Sequence, residues 1–358
     1  MNLTNTITDV PGLEVGHAQD EQALTGVTVV LCRKGAVGGV DQRGGAPGTR
    51  ETDLLDPINK VEKVHAVMLA GGSAFGLDAA GGVMRYLEEQ KVGFNVGVAR
   101  VPIVPAAILF DLALGKADIR PTLEMGYRAA AAANAGAVAE GSLGAGTGAS
   151  VGKIFGMAGA MKSGVGSASI DIGGGIIVGA LAAVNAFGDV VDPQTGEIIA
   201  GARSTKLGPL SFGAPGYFAN TLETLKTFAG RAILGVASRS NTVIGVVASN
   251  AKLSKAETNK VAQMAQDGLA RAIRPAHTMF DGDTIFALST GQKPADVSIV
   301  GAFAAEAFAL ACVESRSSCE ECRRIAWSLV GAGLRPVPTR LFTVLSSSRP
   351  SQAPSTPY

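Results

Sequence analysis

The chain has 358 residues, 47% of them hydrophobic and 17% charged, enough to bury a sizeable core in one large domain or two smaller ones. Thirty-one basic against thirty acidic side chains leave a formal net charge of +1, and only 5% of residues are aromatic. That balance lacks the concentrated basic footprint that nucleic acid or an anionic membrane surface requires, and it offers few rings for base stacking.

Met1–Asp20 carries acidic residues early and has no basic start followed by an apolar run, so no secretory leader is expected. Cys32, Cys312, Cys319 and Cys322 make no disulfide framework in a chain this long, and a reducing, cytoplasmic location is the expectation. Residues 27–32 and 64–70 read as buried strands, the second ending at Gly71-Gly72. Phe75, Leu77, Val83, Met84 and Leu87 predict a helix over 74–90, and the alanine-rich run 125–139 predicts another, packed on something flat. Ile172–Gly188 is the longest uncharged stretch, but it is short of the roughly 20 residues that span a bilayer and contains Asn185. It reads as buried strand and turn. Residues 176–184 and 232–248 are β-branched runs of strand type.

Ser254-Lys-Ala-Glu257 is a capping box, in which the serine hydroxyl accepts the third backbone N–H and the glutamate reaches back. Val261, Met264, Ala265, Leu269, Ala272 and Ile273 then mark one apolar helix face, which Pro275 stops. Asp281-Gly-Asp283 leads into a strand at Thr284–Leu288. From about Ser346 the chain turns to serine and proline, which bury no core; disorder is expected over 346–358, leaving 1–345 as a single domain.

Familiar motifs fail on spacing. In Gly146–Lys153, Thr147 stands where a phosphate loop has its first glycine and Ile154 replaces the magnesium-binding hydroxyl. Ala149 breaks a dinucleotide fingerprint, and Phe75 breaks a nucleophile elbow at Gly71–Gly76. His17, His65 and His277 lie at no metal-binding spacing, and Cys319-Glu-Glu-Cys322 is a lone pair, so no metal is expected.

A hydrolase without a serine–histidine–carboxylate motif can activate a hydroxyl by placing it at a new N-terminus, where its own α-amine is the base. In Arg239-Ser-Asn241-Thr242-Val-Ile-Gly-Val-Val a polar turn leads straight into a β-branched strand with Thr242 at the joint. By itself such an Asn-Thr is usually only a turn.

Ile7-Thr-Asp-Val-Pro-Gly-Leu-Glu-Val-Gly-His17 resembles the N-terminus of the P1 family of self-processing peptidases. That family holds the L-aminopeptidase/D-esterases, β-peptidyl aminopeptidases and nylon-oligomer hydrolases. Gly45–Asp53, Leu69–Asp78, Gly144–Lys153, Asn241-Thr242 and Thr278–Thr284 resemble it in the same order, so that the likeness spans roughly 5–310. Beyond about Cys312 it fades.

The resemblance implies a mixed α/β (α+β) fold, a four-layer αββα sandwich of the N-terminal-nucleophile-like type. It implies cleavage between Asn241 and Thr242 into fragments 1–241 and 242–358 that stay together. Thr242 would be the nucleophile, and Asp281 and Asp283 the acidic loop orienting its hydroxyl and amine. Lys153 would handle protons or stabilise negative charge, and Asn185 would donate to the oxyanion. Where some members carry a tyrosine near the oxyanion, this chain has Phe110. Without the resemblance these residues read as a hairpin turn, a surface lysine and a structural asparagine. The implied activity is hydrolysis of short peptides, amino-acid amides or esters through an acyl-enzyme, without cofactor, by a homotetramer. Hydrolysis of an ω-amino-acid oligomer, acyl transfer of the ornithine-acetyltransferase kind, and an uncleaved binding protein are the alternatives.

Overall fold

A computed structural model describes residues 3–315 except 208–209, 214–216 and 235–240. The tail, the Cys319–Cys322 pair and the Arg239-Ser240 turn lie outside the described residues.

The framework is one nine-stranded mixed sheet, bent so that its two halves pack on each other. The strands that matter are β1 (Glu14–Asp20), β2 (Thr25–Gln42), β3 (Lys63–Ala70), β4 (Ala106–Ile108), β5 (Val165–Asp171), β6 (Ile177–Asn185), β7 (Thr242–Lys252) and β8 (Thr284–Pro294). They run in the order β5-β6-β7-β8-β2-β3-β4, Thr49–Arg50 closes the β4 edge, and β1 pairs with β2. Strand β2, 18 residues long, joins the halves. Its residues 25–31 pair with β1, and residues 37–42 pair with β8. Its pairing with β3 shifts register between Leu31 and Ala36, the kind of irregularity that bends and twists a strand.

Alternation along the strands builds the layers. Val178, Ala180, Ala182 and Val184 of β6, with Val243 and Val247 of β7, face a helical layer of α3 (Lys255–Ala272) and α4 (Val297–Glu314). The alternate residues Ile177, Leu181, Ala183, Ile244 and Val246 point the other way, onto Val30, Val67 and Leu69 of the second half. There Val27, Val29, Leu31, Ala66 and Met68 turn outward against α1 (Ala79–Glu89) and α2 (Leu123–Ala131). The result is helix, sheet, sheet, helix, as expected. Each buried Val, Leu or Ile contributes roughly 1.5–3 kcal/mol, so the two sheet faces carry most of the stabilisation. Helix α4 is apolar and long enough to cross a membrane by composition, yet it packs on α3, β5 and β6. Gly245 leaves room for its Phe308 ring, since a Cβ there would meet the ring at 2.4 Å.

Several elements differ from the expectation. The β-branched run at 232–248 divides: Phe228–Leu234 is helical, and the strand begins only at Thr242. The alanine-rich helix ends at Ala131 rather than 139, because Asn134 instead bridges to Val15 of β1. The segment from Ser73 to Asp78 is a 3-10 helix with Phe75 half exposed, and the α-helix starts at Ala79. Helix α3 has its capping box but ends at Ala272, three residues before Pro275, since Ile273 and Arg274 pair with Val190 and Asp189.

Candidate active site

Three strand ends meet at one edge of the first sheet half. Strands β7 and β8 are parallel, so Thr242 and the Asp281–Thr284 loop lie at the same end. Strand β6 is antiparallel to β7 and brings its last residue, Asn185, directly opposite Thr242. Side chains directly opposite in a ladder share a face, here the face between the two sheets. The sequence-predicted residues are thereby gathered, and all are buried: Lys153 1%, Asn185 0%, Asn241 1%, Thr242 4%, Asp281 2% and Asp283 1% exposed.

Lys153 lies after the short strand Ser150–Val151, and its backbone N–H is held by Phe187 O at 3.0 Å, just beyond β6. Its Nζ donates to Asn185 Oδ1 at 2.6 Å and to Asn185 O at 3.0 Å. Asn185 Oδ1 also accepts the Ser150 N–H at 3.1 Å, while Asn185 Nδ2 donates to Phe110 O at 2.8 Å. One N–H of the Asn185 amide is therefore committed to the backbone, and the other is the one available to a ligand. Burial pushes the Lys153 ammonium down to about 7, against the opposing pull of the Asp281 and Asp111 charges.

The acidic loop is organised by hydrogen bonds of its own. Asp281 Oδ2 accepts the Thr278 N–H at 2.8 Å and the Thr278 hydroxyl at 2.5 Å. Burial, then the neighbouring negative charge of Asp283, raises the Asp281 carboxyl to about 6. Asp283 Oδ1 accepts the Val243 N–H at 2.8 Å, one residue past Thr242. Its Oδ2 takes both the His277 N–H at 3.0 Å and His277 Nδ1 at 2.9 Å. His277 sits at φ +57°, a left-handed conformation that such a double contact helps to hold. A glycine-rich strap secures the loop from outside. Arg43 N donates to Asp283 O at 3.0 Å and Ala46 N to Asp281 O at 2.8 Å. Gly44 is required there, because a Cβ would fall 2.2 Å from Asp281 O.

The Thr242 hydroxyl donates to the carbonyl oxygen of Asn241. The same oxygen accepts the Gly282 N–H at 3.0 Å, and Asn241 N donates to Phe280 O at 3.2 Å. A hydroxyl is thus held against the carbonyl of its own peptide bond, while a backbone N–H polarises that carbonyl. His277, Gly282, Ser150 and the strap at 43–46 were given no role in the site from sequence. Only the Gly44-Gly45 pair hinted at a close backbone approach.

The family model described as peptidase family S58 matches residues 5–324, past the point near Cys312 where the resemblance was expected to fade. An uncharacterized aminopeptidase of Mycobacterium tuberculosis (strain ATCC 25618 / H37Rv) is 50% identical over 296 residues, covering 80% of this chain and 82% of that protein. A 6-aminohexanoate-oligomer endohydrolase of Paenarthrobacter ureafaciens is 31% identical over 284 residues, 79% of this chain and 74% of that one. Among solved structures, the L-aminopeptidase D-Ala-esterase/amidase of Ochrobactrum anthropi, described as a variant of the Ntn hydrolase fold, superposes with a TM-score of 0.66 at 19% identity, covering 93% of this chain and 95% of that one. A Burkholderia sp. beta-aminopeptidase superposes with a TM-score of 0.63 at 22% identity, covering 93% and 96%. These two likenesses establish the fold, and the sequence matches establish the kinship: the chain belongs to peptidase family S58 and is a hydrolase of that family.

Proposed function

We propose that the chain cuts itself before Thr242 and then uses that threonine to hydrolyse short peptides or amino-acid amides from their amino end. The observation that carries this reading is the Thr242 hydroxyl on the Asn241 carbonyl, whose oxygen also takes the Gly282 N–H. Attack of Oγ on the Asn241 carbonyl carbon forms the C–O bond, and the C=O electron pair moves to the oxygen held by Gly282. Collapse breaks the C–N bond, the departing Thr242 nitrogen takes a proton, and an ester links Asn241 to Thr242 Oγ. Water then hydrolyses the ester, leaving a carboxylate on Asn241 and an amine and hydroxyl on Thr242. Lys153, poised near 7, is suited to move the proton in this first reaction.

In turnover the new α-amine, ordinarily titrating near ~7.7–8, is the base that takes the Oγ proton. Asp283, already bonded to the next amide, stands where it can orient that amine, and Asp281 adds negative charge beside it. The Lys153–Asn185 pair faces the acyl group. The relatedness to a 6-aminohexanoate-oligomer endohydrolase at 31% identity supports a second substrate class, oligomers of an ω-amino acid.

Intact mass of the purified, denatured protein tests the reading. Wild type should give two fragments that divide between Asn241 and Thr242, and Thr242→Ala should give one chain with no measurable turnover. A single chain in both after long incubation would sink the self-cleaving mechanism and favour a silent binding protein. Acetyl transfer to an amino acid outrunning hydrolysis would move the assignment to an acyltransferase.

A further inference from the structure

Ser150, bonded into this network by its backbone, carries a buried hydroxyl whose capacity is unused among the described residues. It is 3% exposed, and among the described residues its hydroxyl has no hydrogen-bond partner. A buried hydroxyl left unpaired costs free energy, so its persistence calls for a reason. Its backbone N–H is bound by Asn185 Oδ1 at 3.1 Å, the atom that also receives Lys153 Nζ. Ser150 and Lys153 line one small cavity together with Phe110, Asp111, Gly148 and Met157. Asn185, to whose Oδ1 both Ser150 N–H and Lys153 Nζ are bonded, stands directly across the ladder from Thr242, so Ser150 is joined to the nucleophile's strand end through one side chain.

We propose that Ser150 is a further catalytic residue, its hydroxyl donating to the carbonyl oxygen of the substrate's acyl group as that oxygen becomes negative. The inference rests on the reading of Thr242 as nucleophile. The cavity, about 10 Å³, has room for little more than an oxygen atom and excludes a side chain. Its polar walls are the Ser150 hydroxyl, the Lys153 ammonium and the Asp111 carboxylate. The two oxygens of Asp111 are taken up by the Thr25 hydroxyl and the Gly72 N–H, both at 2.7 Å, so the hydroxyl and the ammonium are the donors left to meet developing negative charge. In the step concerned, Thr242 Oγ bonds to the substrate carbonyl carbon and its proton passes to the α-amine. The C=O electron pair moves onto the oxygen, where Ser150 holds it. Collapse re-forms the C=O bond and expels the amine, which takes the proton. Self-cleavage is served differently, since the Asn241 carbonyl oxygen is bound by the Gly282 N–H and the Thr242 hydroxyl.

Ser150→Ala in the full chain separates the two reactions. Intact mass, thermal melting and steady-state kinetics are compared with wild type, on whichever L-amino-acid p-nitroanilide or 6-aminohexanoate oligomer the wild type turns over fastest. The variant should cleave into the same two fragments and melt at or above the wild-type temperature, because an unsatisfied hydroxyl has been removed. Its kcat should fall on the order of 10²–10³-fold with KM within about threefold, the loss expected for one oxyanion donor. A kcat within about threefold of wild type overturns the proposal alone. A variant that melts lower and fails to self-cleave also overturns it, by showing that Ser150 is structural. A wild type neither cut nor active on any of these substrates overturns the underlying reading and the proposal with it.

Discussion

Two buried carboxylate sites, Asp189 just past the end of β6 and the Asp281–Asp283 pair just before β8, are used for opposite ends. Asp189, 1% exposed, gives Oδ1 to the Ala202 N–H at 2.8 Å and the Thr221 hydroxyl at 3.0 Å, and Oδ2 to the Thr221 N–H at 2.7 Å. Burial raises it to about 6, as burial also raises Asp281. The direction of the shift and its largest cause are therefore the same in both. Their partners differ: those of Asp189 are distant backbone and a hydroxyl that it ties into place, with no nucleophile among them. The acidic loop at 281–283 borders a threonine set against its own peptide carbonyl, and the Asp281 charge reaches a lysine lowered to about 7, whose partner Asn185 also holds Ser150, unpaired at its hydroxyl among the described residues. A perturbed carboxyl therefore marks burial first, and marks chemistry only where unused hydrogen-bonding capacity and a nucleophile are also present.

The comparison breaks most readily at Asp283. Replacing it by Asn keeps one oxygen acceptor but removes the charge beside the future amine, and turnover should fall about 10²–10³-fold, read as kcat on wild-type substrate. An Asp283→Asn enzyme within tenfold of wild type would reduce the acidic loop to scaffolding like Asp189. The reciprocal change, Asp189→Ala, strands three buried donors and should destabilise the chain by roughly 2–5 kcal/mol. Chemical denaturation in the uncut Thr242→Ala background measures this, since one chain unfolds there instead of two. In the otherwise wild-type enzyme, turnover per folded molecule should stay within about threefold. A selective loss of kcat would place Asp189 in the chemistry.

The smallest effect is on the pH dependence of stability, where Asp189 and Lys153 act with opposite slopes. Asp189 is raised from 3.8 to about 6 in the folded chain, so its protonated form stabilises below about 4 and that contribution is lost as pH rises through about 6. Lys153 is lowered from 10.5 to about 7, so the cost of burying its ammonium is full below 7 and is relieved as pH climbs toward 10. Denaturation of the uncut chain should show stability contributions falling across the first window and rising across the second. Asp189→Ala should reduce the first slope, to which Asp281 also contributes, and Lys153→Met should flatten the second. An unchanged slope in either variant would assign the titration to another group.

Much of this molecule is written locally. The strands at 27–32, 64–70 and 176–184 are apolar runs whose period needs no partner to be recognised, and the capping box at Ser254–Glu257 is a contact over three residues. The order of motifs from Ile7 to Thr284 likewise placed Thr242, Asp281, Asp283, Lys153 and Asn185 before any coordinates. What composition and period could not reveal are the contacts made across the fold. The bend of β2 that turns one sheet into two layers depends on β3 and β8, more than 20 and 240 residues away. The commitment of the Asn185 amide to Phe110 O spans 75 residues, and the bond from Val243 N to Asp283 spans 40. The unused hydroxyl of Ser150 is defined by what surrounds it rather than by its neighbours in the chain. Sequence by itself determined which segments become strands and helices and which residue types stand at the strand ends, because backbone propensity and side-chain alternation are local. Only the tertiary structure decided which donors remain unpaired around Thr242, because hydrogen-bond satisfaction in a buried site is a property of every strand that closes over it.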